Sequence, residues 1–185
     1  MVKKIAIFGD ADESEIGSTF DRVKEIALEL AKSGYTIING GGPGIMKAAT
    51  LGAKDGGGKV EVIVIDPKNQ PKNFEGIDEE SCKMADDKYV AKSFEEREDV
   101  LIDRADAYII FKGGTGTLYE LASVWQNAKI LGSKKPIIIF GKDWQEIVEM
   151  IRLNLPITSD ELKSINFADS IEEIKEILFQ AGVVN

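Results

Sequence analysis

Short apolar runs alternate along the chain with stretches in which apolar residues recur every three or four positions. Residues 5–8, Ile-Ala-Ile-Phe, form an unbroken apolar run of the kind that becomes a buried strand. Over 20–32 the apolar positions are Phe20, Val23, Ile26, Ala27, Leu30 and Ala31, which is helical spacing, and Gly34 marks its stop. The same reading predicts a strand at 35–38, a helix at 45–54 and a β-branched strand at 60–65 that ends at Asp66-Pro67. Residues 68–86 are polar with little periodicity and predict a long irregular connection. Beyond them the pattern predicts a short strand at 88–91, a helix at 94–104, a strand at 107–111 and a helix at 116–131. A strand at 136–140, a helix at 143–154 and a short strand at 165–168 follow. Ser170-Ile171-Glu172-Glu173 is a capping-box signature that opens a last helix to Gln180.

Strands that are apolar throughout and alternate with helices imply a parallel sheet covered on both faces. With right-handed crossovers this is an α/β, doubly wound, Rossmann-like fold with helices on both faces. No internal repeat or linker divides the sequence, so residues 1–185 are expected to form one domain. In such sheets ligands sit beyond the carboxyl ends of the strands. Two glycine clusters directly follow strands and are expected on that edge.

Gly113-Gly114-Thr115-Gly116-Thr117 lies between a strand and a helix. Glycines there permit close approach, and the first amides of the helix have no internal partner. With the helix dipole they make a site for an anion, and two threonine hydroxyls add donors. Gly40-Gly41-Gly42-Pro43-Gly44 has the same placement after the second strand. Neither cluster has G-x-G-x-x-G spacing, and the chain lacks G-x-x-x-x-G-K-[ST], so it is not a P-loop protein. Together the clusters suggest one cleft floored by backbone amides, to which Gly9, Gly41, Gly42, Pro43, Gly44 and Met46 are assigned. Gly56-Gly57-Gly58 falls between a helix and a strand and is read as a turn on the opposite edge. Glu120, one turn into its helix, can point back to the cleft or simply complement the helix dipole. Arg97 can enter the cleft or pair with a neighbouring glutamate. Asp10 and Asp12 follow the first strand, and Trp125 and Trp144 are read as core or interface residues.

Composition restricts the chemistry. Hydrophobic residues make up 43% and charged residues 30%, the balance of a globular protein. The net charge of −9 with no Lys/Arg-dense run argues against a nucleic-acid partner, and no stretch is long enough to cross a membrane. One cysteine, Cys82, permits no intramolecular disulfide, and a cytoplasmic location is expected. The chain has no histidine, which excludes Ser-His-Asp and Cys-His arrangements and histidine-ligated zinc. No cofactor and no metal are expected. Any catalysis must use carboxylates, Arg, Lys, Tyr, hydroxyls or backbone amides.

Gly40-Gly41-Gly42-Pro43-Gly44-Ile45-Met46 resembles the GGGPGIM motif of the LOG (Lonely Guy) family, long labelled possible lysine decarboxylase. Gly113-Gly114-Thr115-Gly116-Thr117-Leu118-Tyr119-Glu120 is similar to its PGGxGTxxE motif with Lys112 in place of the proline. Residues 94–97 resemble the segment that carries the family's arginine. The chain also departs from the family in having Glu98 where a lysine usually follows that arginine, and in residues 126–132. The resemblance spans about residues 3 to 180. It implies a phosphoribohydrolase that cleaves the N-glycosidic bond of AMP or cytokinin riboside 5′-monophosphates to free base and ribose 5-phosphate. Arg97 and Glu120 would then be catalytic, and residues 113–117 would hold the phosphate or ribose. It also implies a small-molecule nucleoside monophosphate as partner, and a homodimer or higher homo-oligomer. Two other readings are kept beside it: a non-catalytic nucleotide or molybdenum-cofactor carrier of the same fold, and, third, a decarboxylase.

Overall fold

A computed structural model describes residues 2–12 and 14–184. Its sheet has seven parallel strands among the described residues: β1 (Lys4–Phe8), β2 (Thr36–Asn39), β3 (Val60–Ile65), β4 (Asp87–Ala91), β5 (Ala107–Ile110), β6 (Ile137–Phe140) and β7 (Ile165–Ala168). They lie in the order β4-β3-β2-β1-β5-β6-β7. The helices are α1 (Ser18–Lys32), α2 (Ile45–Asp55), α3 (Glu79–Met84), α4 (Phe94–Arg104), α5 (Thr115–Leu131), α6 (Lys142–Asn154), α7 (Ser159–Leu162) and α8 (Ile171–Gln180). The expected doubly wound architecture is present.

Alternation along the strands divides the core in two. Ile5 and Ile7 of β1 face a layer built from α1, α2 and α8, represented by Ile26, Ala49 and Ile174. Ala6 and Phe8 face the other layer, with Leu101 of α4, Val124 and Trp125 of α5 and Trp144 of α6. A strand buried on both faces has no polar side of its own, which is why its sequence reads as a continuous apolar run. Glu61 of β3 is a charged exception: it is buried and held by Lys4 and Arg104. Both tryptophans fall in the core as expected.

The strand order places the site. Ile5 of β1 pairs with Ile37 on one side and Ala107 on the other. From β1 the chain builds outward to β4, then returns to lay β5 on the opposite flank of β1. The connections after β1 and β5 therefore leave in opposite directions and open a crevice at the carboxyl end of that pair.

Two expectations change. Residues 68–86 are not wholly irregular. A 3-10 turn forms at Pro67–Asn69, and α3 follows, with Asp78 Oδ1 accepting from the Ser81 amide at 2.7 Å. Asp78-Glu79-Glu80 is an N-cap followed by an acidic first turn, a signal that does not depend on apolar periodicity. The short α7 opens on a capping box of Thr158 and Glu161 in an equally polar stretch. Elsewhere element ends move by one or two residues. Gly56 closes α2 and Gly57 turns with φ +72° on the edge away from the crevice. No helix among the described residues is long and apolar enough to cross a membrane.

Candidate functional site

The crevice at the end of β1 and β5 holds a cleft of about 220 Å³. Three chain segments converge on it from the strand ends: Gly9, Asp10 and Ala11 after β1, Gly40 and Met46 around the β2–α2 turn, and residues 114–117 with Glu120 after β5. Ile7 and Phe8 of β1 with Glu75, Phe94, Arg97 and Glu98 complete the lining. The sequence-predicted pair, Arg97 and Glu120, thus meets the second glycine turn in one cavity.

Arg97 is carried by α4, whose start is fixed by its own sequence. Ser93 Oγ accepts from the Glu96 amide at 3.2 Å, and the Glu96 carboxylate accepts from Tyr89 Oη and the Lys92 amide, each at 2.7 Å. One residue later, Arg97 is buried at 3% exposure. Its Nε donates to the Ile63 carbonyl at 3.2 Å, and Nη1 donates to Glu98 Oε1 at 2.8 Å. Nη2 donates to the Gly40 carbonyl and to Glu75 Oε1, both at 3.3 Å. The Phe74 ring lies 5.4 Å from Cζ. A guanidinium has five N–H groups; Met46 Sδ is a further weak acceptor for Nη2 at 3.6 Å, so only one N–H, on Nη1, has no acceptor among the described residues. Arg97 is a strut that binds β3, the β2 turn and the 70–78 segment together.

Gly40 exists to admit that strut. A Cβ there would stand 1.8 Å from Arg97 Nη2. Gly44 has φ +60°, and a Cβ on it would lie 2.3 Å from the Asp10 carbonyl oxygen. It lets the α2 turn close on the β1 turn, where the Ile45 amide donates to the same carbonyl at 2.9 Å. Gly41, Gly42, Pro43 and Gly44 lie outside the cleft lining, contrary to their assignment to it. Gly41 packs on Val64 and Cys82, and Gly42 on Met46. Asn39 organises this turn: its Oδ1 accepts from the Gly41 amide at 2.8 Å, while Nδ2 donates to Thr50 at 3.0 Å.

In the second turn, Gly114, Thr115, Gly116 and Thr117 line the cleft. Gly113 does not: it packs against the buried Thr117 side chain. Gly114 precedes α5 without a side-chain cap, and the helix's first bond returns from the Leu118 amide to the Gly114 carbonyl. The amides of residues 115–117 are therefore unspent within the helix and available to an anion. Lys112 lies outside the lining and pairs with Asp143 at 2.8 Å on the surface. Asp10 lines the cleft, while the exposed Asp12 only donates its amide to Asp10 Oδ1.

Charge in the cleft is unbalanced, with Arg97 facing Glu75, Glu98 and Glu120. Glu120 is half-buried by exposed area, but protein crowds its carboxyl. That desolvation, and after it the nearby Glu98 charge, pushes Glu120 well above the usual carboxylate range; Arg97 opposes the shift and Glu75 adds to it. Burial likewise raises the Glu98 carboxyl, against the pull of Arg97. The crowding thus disfavours the ionised form of Glu120. Glu75 and the cleft-facing position of Glu98 escape sequence reasoning, because Glu75 sits in a stretch without periodicity and Glu98 shares an acidic helix turn with Glu95 and Glu96. Gly40 and Asn39 carried a usable signal, an Asn before a glycine run at a strand end.

Residues 46–178 match a family model described as possible lysine decarboxylase. An uncharacterized protein of Archaeoglobus fulgidus is 31% identical over 131 residues, 71% of this chain and 78% of that protein. A Mycobacterium tuberculosis protein named cytokinin riboside 5′-monophosphate phosphoribohydrolase is 30% identical over 115 residues, 62% of this chain but only 58% of that protein. In three dimensions the molybdenum cofactor binding protein of Rippkaea orientalis superimposes with a TM-score of 0.73 at 20% identity, covering 100% of this chain and 99% of the other. At that identity the likeness concerns the fold.

Proposed function

For a chain that belongs to the possible lysine decarboxylase (LOG) family, we propose hydrolysis of the N-glycosidic bond of a nucleoside 5′-monophosphate, AMP or a cytokinin riboside monophosphate, to free base and ribose 5-phosphate. One observation carries the reading: Arg97, Glu120 and the open amides of residues 115–117 line a single cleft at the point where the sheet reverses its order. The anionic phosphate belongs on the amides of α5, because all but one of the arginine's N–H groups already meet protein acceptors. Phosphate binding then fixes the sugar, spending remote interactions on orientation at the reacting carbon. Departure of the base leaves an oxocarbenium-like sugar and needs a proton on the base. Glu120, whose charged form is disfavoured by the crowding of its carboxyl, is the group suited to supply it. No lysine lines the cleft among the described residues, so a pyridoxal-type Schiff base has no partner there.

Incubation with AMP and with isopentenyl-AMP, followed by chromatography for free base, tests this. Release by the wild type that falls by about 10²–10⁴-fold in Glu120→Gln supports the role given to Glu120. A second reading draws on the strut: a cleft whose arginine is held by protein acceptors can retain an anion on backbone amides without turning it over. The chain would then be a carrier of a nucleotide or a molybdenum cofactor. Saturable binding without base release selects that reading. The proposed assembly is a homodimer through α5 and α6, where Leu118, Met150, Leu153 and Leu155 expose an apolar surface beside the cleft helix.

A further inference from the structure

We propose that Glu98 is a second catalytic carboxylate: Glu120 gives its proton to the leaving base, while ionised Glu98 faces the sugar cation and accepts the proton of the attacking water. The proposal rests on the phosphoribohydrolase reading above.

The geometry sets Glu98 apart from an ordinary ion-pair partner. Consecutive helix residues normally diverge in direction, yet Arg97 and Glu98 are both buried, at 3% and 2% exposure. Glu98 Oε1 accepts from Arg97 Nη1 at 2.8 Å. Its other oxygen, Oε2, is buried with no hydrogen-bond partner among the described residues, and the side chain lines the cleft. A native buried carboxylate oxygen without a partner calls for a ligand or a water. The groups that act on it are Arg97 and Asp99 of its own helix, Glu75 of the 70–78 segment and Glu120 of α5, with Asp10 also in the lining.

Two neighbouring carboxyls that cannot both ionise divide the labour of an acid and a base when their surroundings differ. Here the difference is Arg97, which touches Glu98 and makes it the more acidic of the two. The C1′–N bond breaks with both electrons passing to the base, and the Glu120 proton goes to the base nitrogen. Water oxygen bonds to C1′ and its proton passes to Glu98. Solvent exchange returns the proton from Glu98 and restores Glu120, so the cycle consumes one water.

The test compares wild type, Glu98→Gln and Glu98→Ala on whichever nucleotide the wild type hydrolyses. The active state needs Glu98 ionised and Glu120 protonated, so activity falls at both low and high pH. Glu98→Gln, which keeps an oxygen for Arg97, should lose about 100-fold in kcat with KM held within about threefold. Its acid limb should vanish, and its alkaline limb should move to lower pH because the Glu98 charge no longer supports the Glu120 proton. Formate should partly restore Glu98→Ala. Wild-type turnover with a Glu98→Gln enzyme that keeps its kcat and acid limb overturns the assignment alone. So does a Glu98→Ala enzyme that formate cannot rescue while its thermal midpoint has dropped, since that is the behaviour of a structural residue. No base release by the wild type from either nucleotide removes the phosphoribohydrolase reading, and this assignment with it.

Discussion

Replacing Arg97 with methionine keeps much of the side chain's length and removes the cation from a cleft that holds three glutamates. Besides the part-exposed contact to Glu75, the loss has two parts. The Ile63 and Gly40 carbonyls lose their donor, a cost that does not vary with pH. Glu98, buried at 2% exposure, loses its ion-pair partner. Breaking one side of a buried pair costs about 3–5 kcal/mol, unless the orphaned carboxyl takes up a proton. Against its ordinary value of 4.5, each pH unit of enforced protonation costs about 1.36 kcal/mol. Holding Glu98 neutral therefore costs about 0.7 kcal/mol at pH 5 and about 4.8 kcal/mol at pH 8. The sign follows from proton linkage. With its carboxyl raised, the folded mutant binds more protons than the unfolded chain above the ordinary value. Its stability is full below that value and declines as pH rises through the window up to the raised one. Because burial already raises Glu98 in the wild type, part of this cost is common to both proteins, and urea unfolding at pH 5 and pH 8 should show a deficit relative to wild type that grows at the higher pH by less than about 4 kcal/mol. Arg97→Met/Glu98→Gln should recover at least about half of that growth. An equal deficit at both pH values would refute the view that Glu98 is an ionised carboxylate leaning on Arg97.

Two further outcomes follow from the surroundings of the cleft. Asp78→Ala removes the α3 cap and a longer contact to Lys47, and should destabilise by about 1 kcal/mol, with faster hydrogen exchange at the Ser81 amide. Leu153→Glu places a charge on the apolar surface of α6 and should convert a dimer to monomer in light scattering behind size-exclusion chromatography; an unchanged mass refutes the proposed interface.

The fold was legible because the central strands carry their burial in their sequence. Runs such as 5–8 and 60–65 can only be covered on both faces, and the helices between them fix parallel pairing. The motif residues were legible for a local reason as well: glycines and threonines crowded between a strand and a helix have few structural purposes. What stayed hidden depends on contacts distant in sequence. Glu75 reaches Arg97 from a polar stretch with no periodicity. Glu98 looks like one more acidic residue on an exposed helix turn until packing buries it. In the first glycine cluster Gly41, Gly42, Pro43 and Gly44 were assigned to the cleft with Met46, whereas the lining holds Met46 and the unassigned Gly40, and the others serve the turn.

The strand order has a consequence for how the molecule comes to be able to bind anything. Residues 4–8 must wait for residues 107–110, roughly half the chain away, before the central pair of the sheet can close. Loop-closure entropy makes such distant pairings late and slow events in folding. The arginine strut belongs to the half of the chain that precedes this event, and the amides that would cradle an anion belong to the half that follows. Neither half alone presents the cleft. An anionic ligand therefore recognises only chains in which the two halves have already zipped together, and it stabilises that joined state by mass action. During refolding, the onset of ligand binding would time the closure of β1 against β5.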